Sequence, residues 1–161
     1  MKKHNPFRVA VIALMFLGAM GIAQADTWTF NMPKACTSQN AAGQTIRVTG
    51  EGAFDPTSGS VLGSGNYSIR NAGGKIIGHG SWSATSFGSF HSDGGLNNGA
   101  QGGTLTITVT LYPDGGTPNS GVPMTIICAF ANGAFDEEAD AALVGDFTTR
   151  IDGETVFHIE K

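Results

Sequence analysis

Apolar and polar residues alternate along most of the chain after residue 26. The clearest segment runs from Thr104 to Tyr112, where threonines alternate with Leu105, Ile107, Val109 and Leu111. Period-two alternation turns one set of side chains toward the core of a β-sheet and the other set toward solvent. Similar segments recur along the chain, separated by short stretches rich in Gly, Pro, Asn and Asp that are typical of turns.

The predicted strands account for most of the chain after residue 26. Pro33 is expected to end the first strand, because proline lacks the N–H that a strand ladder uses. Two longer connections are expected, a Gly- and Asn-rich loop over residues 91–103 and a segment over residues 113–123. The last two strands are predicted to form a hairpin around Asp152-Gly153. In chain order, the predicted strands cover residues 26–32, 45–54, 61–70, 75–85, 104–112, 124–131, 143–151 and 154–160.

Many short strands joined mainly by turns indicate an all-β domain. The predicted fold class is a single-domain antiparallel β-barrel or β-sandwich of about eight strands, in which consecutive strands pair as a meander. The sequence leaves the choice between barrel and sandwich open. An outer-membrane barrel is disfavoured, because charged residues such as Arg47 and Glu51 lie in the predicted strands and no aromatic girdles recur at both strand ends.

Three segments share the pattern G-x-G-x-aromatic. They are Gly50–Phe54, Gly63–Tyr67 and Gly78–Trp82, and their first glycines are 13 and then 15 residues apart. Alternation places both glycines and the aromatic residue of each segment on the same inward face of three consecutive strands. Glycine weakens a strand interior, so three such pairs on one face need a physical reason.

Two reasons for the glycine pairs are available. Bare backbone lets a sheet coil sharply and lets an aromatic ring from a neighbouring strand lie over it, which is the favoured interpretation. Alternatively, the glycines leave space for a ligand inside the sheet. A phosphate-binding loop is disfavoured, since no G-x-G-x-x-G or Walker-type motif leads into a predicted helix. The ligand hypothesis predicts a site formed by Gly63, Gly65, Tyr67, Gly78, Gly80 and Trp82.

The first 25 residues have the pattern of a secretory signal peptide. Lys2, Lys3 and Arg8 precede an apolar stretch from Val9 to Ile22, and Ala23-Gln24-Ala25 forms a small-x-small cleavage site. We predict cleavage after Ala25 and a secreted or periplasmic location. No second apolar run follows, so no membrane span is expected after cleavage.

Residues 26–161 form the predicted secreted domain, and their composition narrows its partners. They contain six basic and thirteen acidic residues, a net charge of about −7. Binding to nucleic-acid phosphates needs clustered Lys and Arg, so a nucleic-acid partner is disfavoured. About 16% of these residues are glycine, yet apolar alternation persists, which indicates a turn-rich folded chain.

The predicted domain contains two cysteines, Cys36 and Cys128. In an oxidising compartment we expect them to form a disulfide. It would close a loop of 92 residues, for which chain entropy gives about 4 to 5 kcal/mol of stabilisation. The alternative is a pair of buried free thiols.

Few side chains in the sequence point to chemistry. His79, His91 and His158 are weak metal candidates, because their spacings match no metal-binding motif. Ser86 lies in an A-x-S-x-G variant of the nucleophile elbow and is followed by Asp146 and His158. That elbow requires a strand-to-helix turn on a parallel sheet, which this chain is not expected to have.

An acidic run at residues 136–140 resembles a calcium-binding cluster in composition only. It lacks the ligand spacing and the glycine of an EF-hand loop, so we interpret it as solvated surface.

The sequence therefore predicts a non-catalytic binding protein for a small apolar ligand, with no cofactor. The alternative is an adhesive or structural subunit of a surface or assembly, which meets an unidentified surface protein through exposed strand edges or through the segments at residues 91–103 and 113–123. A barrel enzyme is the third hypothesis.

Overall fold

The computed structural model of the protein describes residues 27–131, 133–136 and 138–160, and every regular element in these ranges is a β-strand. The predicted signal peptide and its cleavage site lie outside the described residues. The ten strands are β1 (Thr27–Gln39), β2 (Thr45–Asp55), β3 (Ser60–Arg70), β4 (Ile76–Gly95), β5 (Ala100–Pro113), β6 (Asn119–Cys128), β7 (Phe130–Ala131), β8 (Ala134–Phe135), β9 (Ala141–Val144) and β10 (Thr149–Glu160).

Eight strands form one antiparallel sheet in the order β10-β1-β2-β3-β4-β5-β6-β9, and β7 pairs with β8 separately. Consecutive strands from β1 to β6 are neighbours, as a meander requires. The far end of β10 also pairs with the start of β5, at Phe157↔Gln101 and His158↔Ala100. The prediction of an all-β chain with about eight antiparallel strands is confirmed.

The first strand is longer than predicted, because Pro33 does not end it. β1 continues to Gln39, and its ladder with β10 is irregular between Asn31 and Lys34. Pro33 lies within this irregularity, where a residue that lacks an N–H does not cost the ladder a hydrogen bond. The prediction failed here because proline was interpreted as a terminator.

β4 is also longer than predicted, and the expected loop over residues 91–103 is wrong. β4 reaches Gly95 and β5 begins at Ala100, so only residues 96–99 connect them. Its ladder with β5 shifts register at three places, one of them between Phe87 and Ser89. Because this shift skips one residue, Phe87 and Phe90 both pack against the core although they are three positions apart.

The predicted final hairpin is replaced by one continuous strand. β10 passes through Asp152 and Gly153, while residues 141–144 form β9 and pair with β6. Gly153 is buried, and a β-carbon placed on it would lie 2.7 Å from the Cys36 sulfur. The glycine therefore permits a close approach between strands and does not form a turn.

The glycine pairs face one another across β2, β3 and β4. On β2 and β3, Gly50 is opposite Gly65 and Gly52 is opposite Gly63. Between β3 and β4 the pairing differs, because each inward glycine on one strand is opposite a large residue on the other. Thus Gly65 is opposite Trp82, and Gly80 is opposite Tyr67. The bulky inward side chains of Trp82 and Tyr67 are therefore each next to a glycine on the neighbouring strand.

Two aromatic rings occupy the space above these glycines. A β-carbon on Gly65 would lie 2.6 Å from the indole nitrogen of Trp82, and one on Gly52 would lie 2.5 Å from the ring of Phe30. The Trp82 indole is 1% exposed and donates a hydrogen bond of 2.9 Å to the Thr49 carbonyl oxygen. The favoured interpretation of the pairs, as room for aromatic packing, therefore agrees with this geometry.

We predict that Gly65→Ala lowers the free energy of unfolding by about 3 kcal/mol, because its β-carbon would overlap both Trp82 and the Cα of Gly50, 2.6 Å away. The matched control is Gly78→Ala, from the same motif, whose β-carbon would meet only Ile69 at 3.9 Å. It should change stability by about 0.5 kcal/mol or less. Urea unfolding of both variants measures this difference, and equal losses would contradict the packing argument.

Candidate functional site

The six residues predicted to form a ligand site are divided by the structure. Trp82 and Tyr67 belong to the buried core, and Gly65 lies beneath the Trp82 ring. The other three are the glycines at positions 63, 78 and 80. Gly63 contributes to a groove on the outer surface of β1 to β3, while Gly80 and Tyr67 contribute to a second groove over β2 to β4. Gly78 packs beside Ile69 at ordinary contact distance.

The first groove, which we call the β1–β3 groove, has a volume of about 740 Å³. Its walls are two rows of outward residues set by the strand register, with Gly52 and Gly63 between them. The first row is His158, Thr29, Ala53 and Leu62, and the second is Val156, Asn31, Glu51 and Ser64. Phe30 also lines it, from the core side.

Apolar surface in the β1–β3 groove is concentrated on Leu62. This side chain is 79% exposed, more than any other large hydrophobic residue in the described part of the chain. Ala53 is directly opposite it on β2, and Val156 lies on β10 in the neighbouring row. Glu51 and His158 add polar groups to the same walls. The groove can therefore cover an apolar body while presenting polar groups beside it.

The second groove, the β2–β4 groove, has a volume of about 430 Å³ and is lined mainly by polar side chains. The Tyr67 ring lies on its core side, where burial and then the nearby Asp114 carboxylate raise the pKa of the phenol above its ordinary value. The outward residues of this groove are Arg47, Thr49, Asn66, Ser68, His79, Ser81 and Asp114.

The three metal candidates are separated by the fold. His79 lies 3.6 Å from the Asp114 carboxylate, and His91 lies 3.4 Å from that of Asp93. His158 is on β10, opposite Thr29. In the ranges that the structure describes, no group of three or more His, Cys, Asp or Glu side chains is placed to hold a metal ion.

The serine candidate has no catalytic neighbours of the predicted kind. Ser86 is an exposed residue opposite Thr108 on β5, whereas the Asp146 carboxylate accepts a hydrogen bond from the Asn40 amide at 3.4 Å. His158 belongs to the β1–β3 groove. The strand that carries Ser86 continues to Gly95, so the strand-to-helix turn of a nucleophile elbow does not occur there.

The predicted disulfide is absent, because Cys36 and Cys128 are both free thiols. Both cysteines are buried, with 0% exposure of either residue, and their thiols contact different residues of β10. The Cys36 thiol lies 3.8 Å from the Glu154 carbonyl oxygen, whereas Cys128 interacts with Thr155 and Phe157. The pairing was expected from an oxidising compartment, but the compartment alone does not bring two side chains together.

Asp140 was missed, because the sequence placed it in a solvated acidic run. It is 1% exposed, and its two carboxylate oxygens accept hydrogen bonds from the N–H groups of Ala129 at 2.7 Å and Thr155 at 2.8 Å. The Arg150 guanidinium also donates to the Asp140 carbonyl oxygen. Asp140 directly precedes β9, so its carboxylate links the start of β9 to the residue after β6 and to the middle of β10. In the sequence, the only indication that Asp140 is buried was its position next to the apolar Ala141-Ala142.

We predict that Asp140→Asn destabilises the protein by about 2 to 3 kcal/mol. The amide keeps one acceptor oxygen but turns an NH₂ group toward a backbone N–H, which leaves a buried donor without an acceptor. The matched control is Asp136→Asn, an acidic residue of the same run whose replacement should change stability by about 0.5 kcal/mol or less. Thermal and urea unfolding test this, and equal effects would show that burial of Asp140 contributes nothing.

We predict that the denatured, unreduced protein contains two free thiols, and that neither reacts with a thiol reagent in the native state at neutral pH. Burial raises the pKa of both cysteines from 9.0 to about 11, so the reactive thiolate is scarce. Mass spectrometry after alkylation counts the thiols. If the denatured protein is not alkylated in the absence of reductant, the two cysteines form a disulfide after all.

The same pKa shifts make stability depend on alkaline pH. The thiols are protonated in both the folded and the unfolded state below pH 9, where their contribution to stability is fully present. Between pH 9 and about 11 the thiols of the unfolded protein ionise while those of the folded protein do not, so the free energy of unfolding falls as the pH rises. The Cys36→Ala/Cys128→Ala variant should therefore lose less stability over this interval than the unaltered protein. Urea unfolding between pH 9 and 11 measures this difference. If the free energy of unfolding falls equally in the two proteins, the buried thiols are not the cause of the pH dependence.

The described residues contain no helix long and apolar enough to cross a membrane. Comparison of the chain with protein-family models, with curated proteins and with solved structures found no match.

Proposed function

We propose that the protein is a non-catalytic binding protein that takes a small apolar ligand in the β1–β3 groove. In this proposal the signal peptide is cleaved after Ala25 and the protein acts in a secreted or periplasmic compartment. The eight-stranded sheet then serves as a closed barrel whose interior is filled by side chains, so that the ligand binds to the outer wall. This moves the predicted site from the inner glycine face to the surface behind it.

The observation that carries the proposal is the exposure of Leu62 inside a groove. A leucine that is 79% exposed keeps most of its apolar surface in water, and covering it gains about 25 cal/mol for each Å² removed from solvent. The groove volume of about 740 Å³ falls in the range of ordinary small-molecule sites. A ligand with an apolar body would contact Leu62 and its cross-strand neighbour Ala53 together.

The glycines explain why the groove exists at this place. The backbones of Gly52 and Gly63 approach each other in register, and the Phe30 ring fills the space on their inner side. The sheet can coil closely here because neither residue carries a side chain. The outer surface is then held in shape by a packed core, which reduces the ordering cost of binding.

The polar residues of the groove define the expected orientation. Glu51 and Ser64 are opposite each other on β2 and β3, and Asn31 is opposite Glu51 on β1. They form one wall, whereas Ala53 and Leu62 contribute to the other. A small amphipathic molecule would therefore place its apolar part against Leu62 and any polar group against Glu51.

We predict saturable binding of the neutral fluorescent dye N-phenyl-1-naphthylamine, and its loss by tenfold or more in Leu62→Asp. The substitution places a charge where the apolar part of the ligand would lie, and it should preserve the fold because the side chain is exposed. The matched control is Ile76→Asp, which replaces another exposed aliphatic residue outside both grooves and should bind the dye normally. Fluorescence titration measures affinity, and circular dichroism checks the fold. Absence of saturable binding, or equal loss in both variants, would refute the proposal.

A further inference from the structure

The β2–β4 groove presents hydrogen-bonding side chains in two parallel rows. Strand register places Arg47, Ser68 and His79 in one row across β2, β3 and β4. The second row is Thr49, Asn66 and Ser81, and it continues to Tyr112 on β5. Residues two positions apart on a strand lie on the same face, so all of these side chains project from one surface.

Several of these side chains have hydrogen-bonding capacity that the protein does not use. Within the described residues, the side chains of Arg47, Asn66, Ser68 and Ser81 make no hydrogen bond or ion pair. Together they offer both donors and acceptors, because an amide and two hydroxyl groups can act in either role. A ligand that carries many groups able both to donate and to accept would match this surface.

The charge in the groove is balanced. Arg47 supplies one positive group at one end, and the Asp114 carboxylate supplies one negative group beside His79, at 3.6 Å, at the other end. A phosphate or other multiply charged anion needs several cations, and the net charge of about −7 over residues 26–161 opposes its approach. The chemistry therefore favours a neutral ligand.

An exposed aromatic ring borders the second row. Tyr112 is 42% exposed, and its hydroxyl group lies 3.4 Å from the Ser83 hydroxyl on the same outer face. Its neighbour across the ladder is Ser81, which lines the groove. An aromatic face beside a row of amide and hydroxyl groups can cover the C–H surface of a sugar ring while its hydroxyl groups are hydrogen-bonded.

From this arrangement we infer that the β2–β4 groove is a binding site for a neutral saccharide. Asn66 and Ser68 contact the sugar hydroxyl groups at the centre, Arg47 and Asp114 contact them at the two ends, and Tyr112 packs against the ring. This site is separate from the β1–β3 groove, with which it shares no lining residue. The inference therefore does not depend on the proposed apolar ligand.

The test is an NMR titration of the ¹⁵N-labelled protein with glucose, galactose, N-acetylglucosamine and maltose, each in turn, and separately with inorganic phosphate. At least one saccharide should shift the backbone amide signals of Asn66, Ser68, His79 and Ser81 in a saturable way, while phosphate should not. If none of these sugars shifts these amides, or if phosphate gives the larger saturable shifts, the inference is overturned.

Variants then locate the site. Asn66→Ala should weaken binding of the responding sugar about tenfold, since it removes one well-placed hydrogen-bonding group. The control Ser89→Ala, an exposed residue of β4 outside both grooves, should leave the affinity unchanged. Leu62→Asp should also retain saccharide binding, which separates failure of this site from failure of the other groove. Equal affinity of Asn66→Ala and the unaltered protein would overturn the assignment.

Discussion

The structure depends on the packing of aromatic rings against backbone that carries no side chain. Trp82 covers Gly50 and Gly65, and Phe30 covers Gly52 and Gly63. A ring can approach a strand this closely only where a β-carbon is absent, so the glycines and the aromatic residues require one another. The hydrogen bond from the Trp82 indole to the Thr49 carbonyl oxygen follows from the same approach, since it satisfies a polar group that the packing buries. Both grooves lie on the outer side of this packed region.

Much of the fold was predictable, because period-two alternation and turn residues report directly on strands. The face assignments within the three glycine motifs agree with the observed register, in which Gly50 is opposite Gly65 and Tyr67 is opposite Gly80. The errors occur where a residue has two structural uses. Pro33 lies at an irregularity inside β1, and Gly153 admits the Cys36 sulfur into β10, so neither ends its strand. The alternation along β4 is interrupted by register shifts, which single-strand patterns do not reveal.

The candidate sites were harder to predict, since they depend on which strands become neighbours. The residues chosen from the glycine motif face inward, whereas the grooves are formed mainly by the outward residues between them, such as Leu62 and Asn66. Asp140 illustrates the same difficulty. Its buried carboxylate accepts hydrogen bonds from two N–H groups, that of Ala129 directly after β6 and that of Thr155 on β10. In the local sequence, only the neighbouring apolar Ala141-Ala142 distinguishes it from the exposed acidic residues of the same run.

The pairing of the first and last strands has a geometric consequence. Thr27 is opposite Glu160, so the two ends of the described chain lie side by side, and the β1–β3 groove contains residues from this end of both strands, Thr29 and His158. The β2–β4 groove is built from the opposite ends of the strands, near the turns that follow Gln39 and Arg70. The molecule therefore has two poles. A tether, label or fused domain joined directly at Thr27 or Glu160 would crowd the first groove and leave the second facing away from the attachment point.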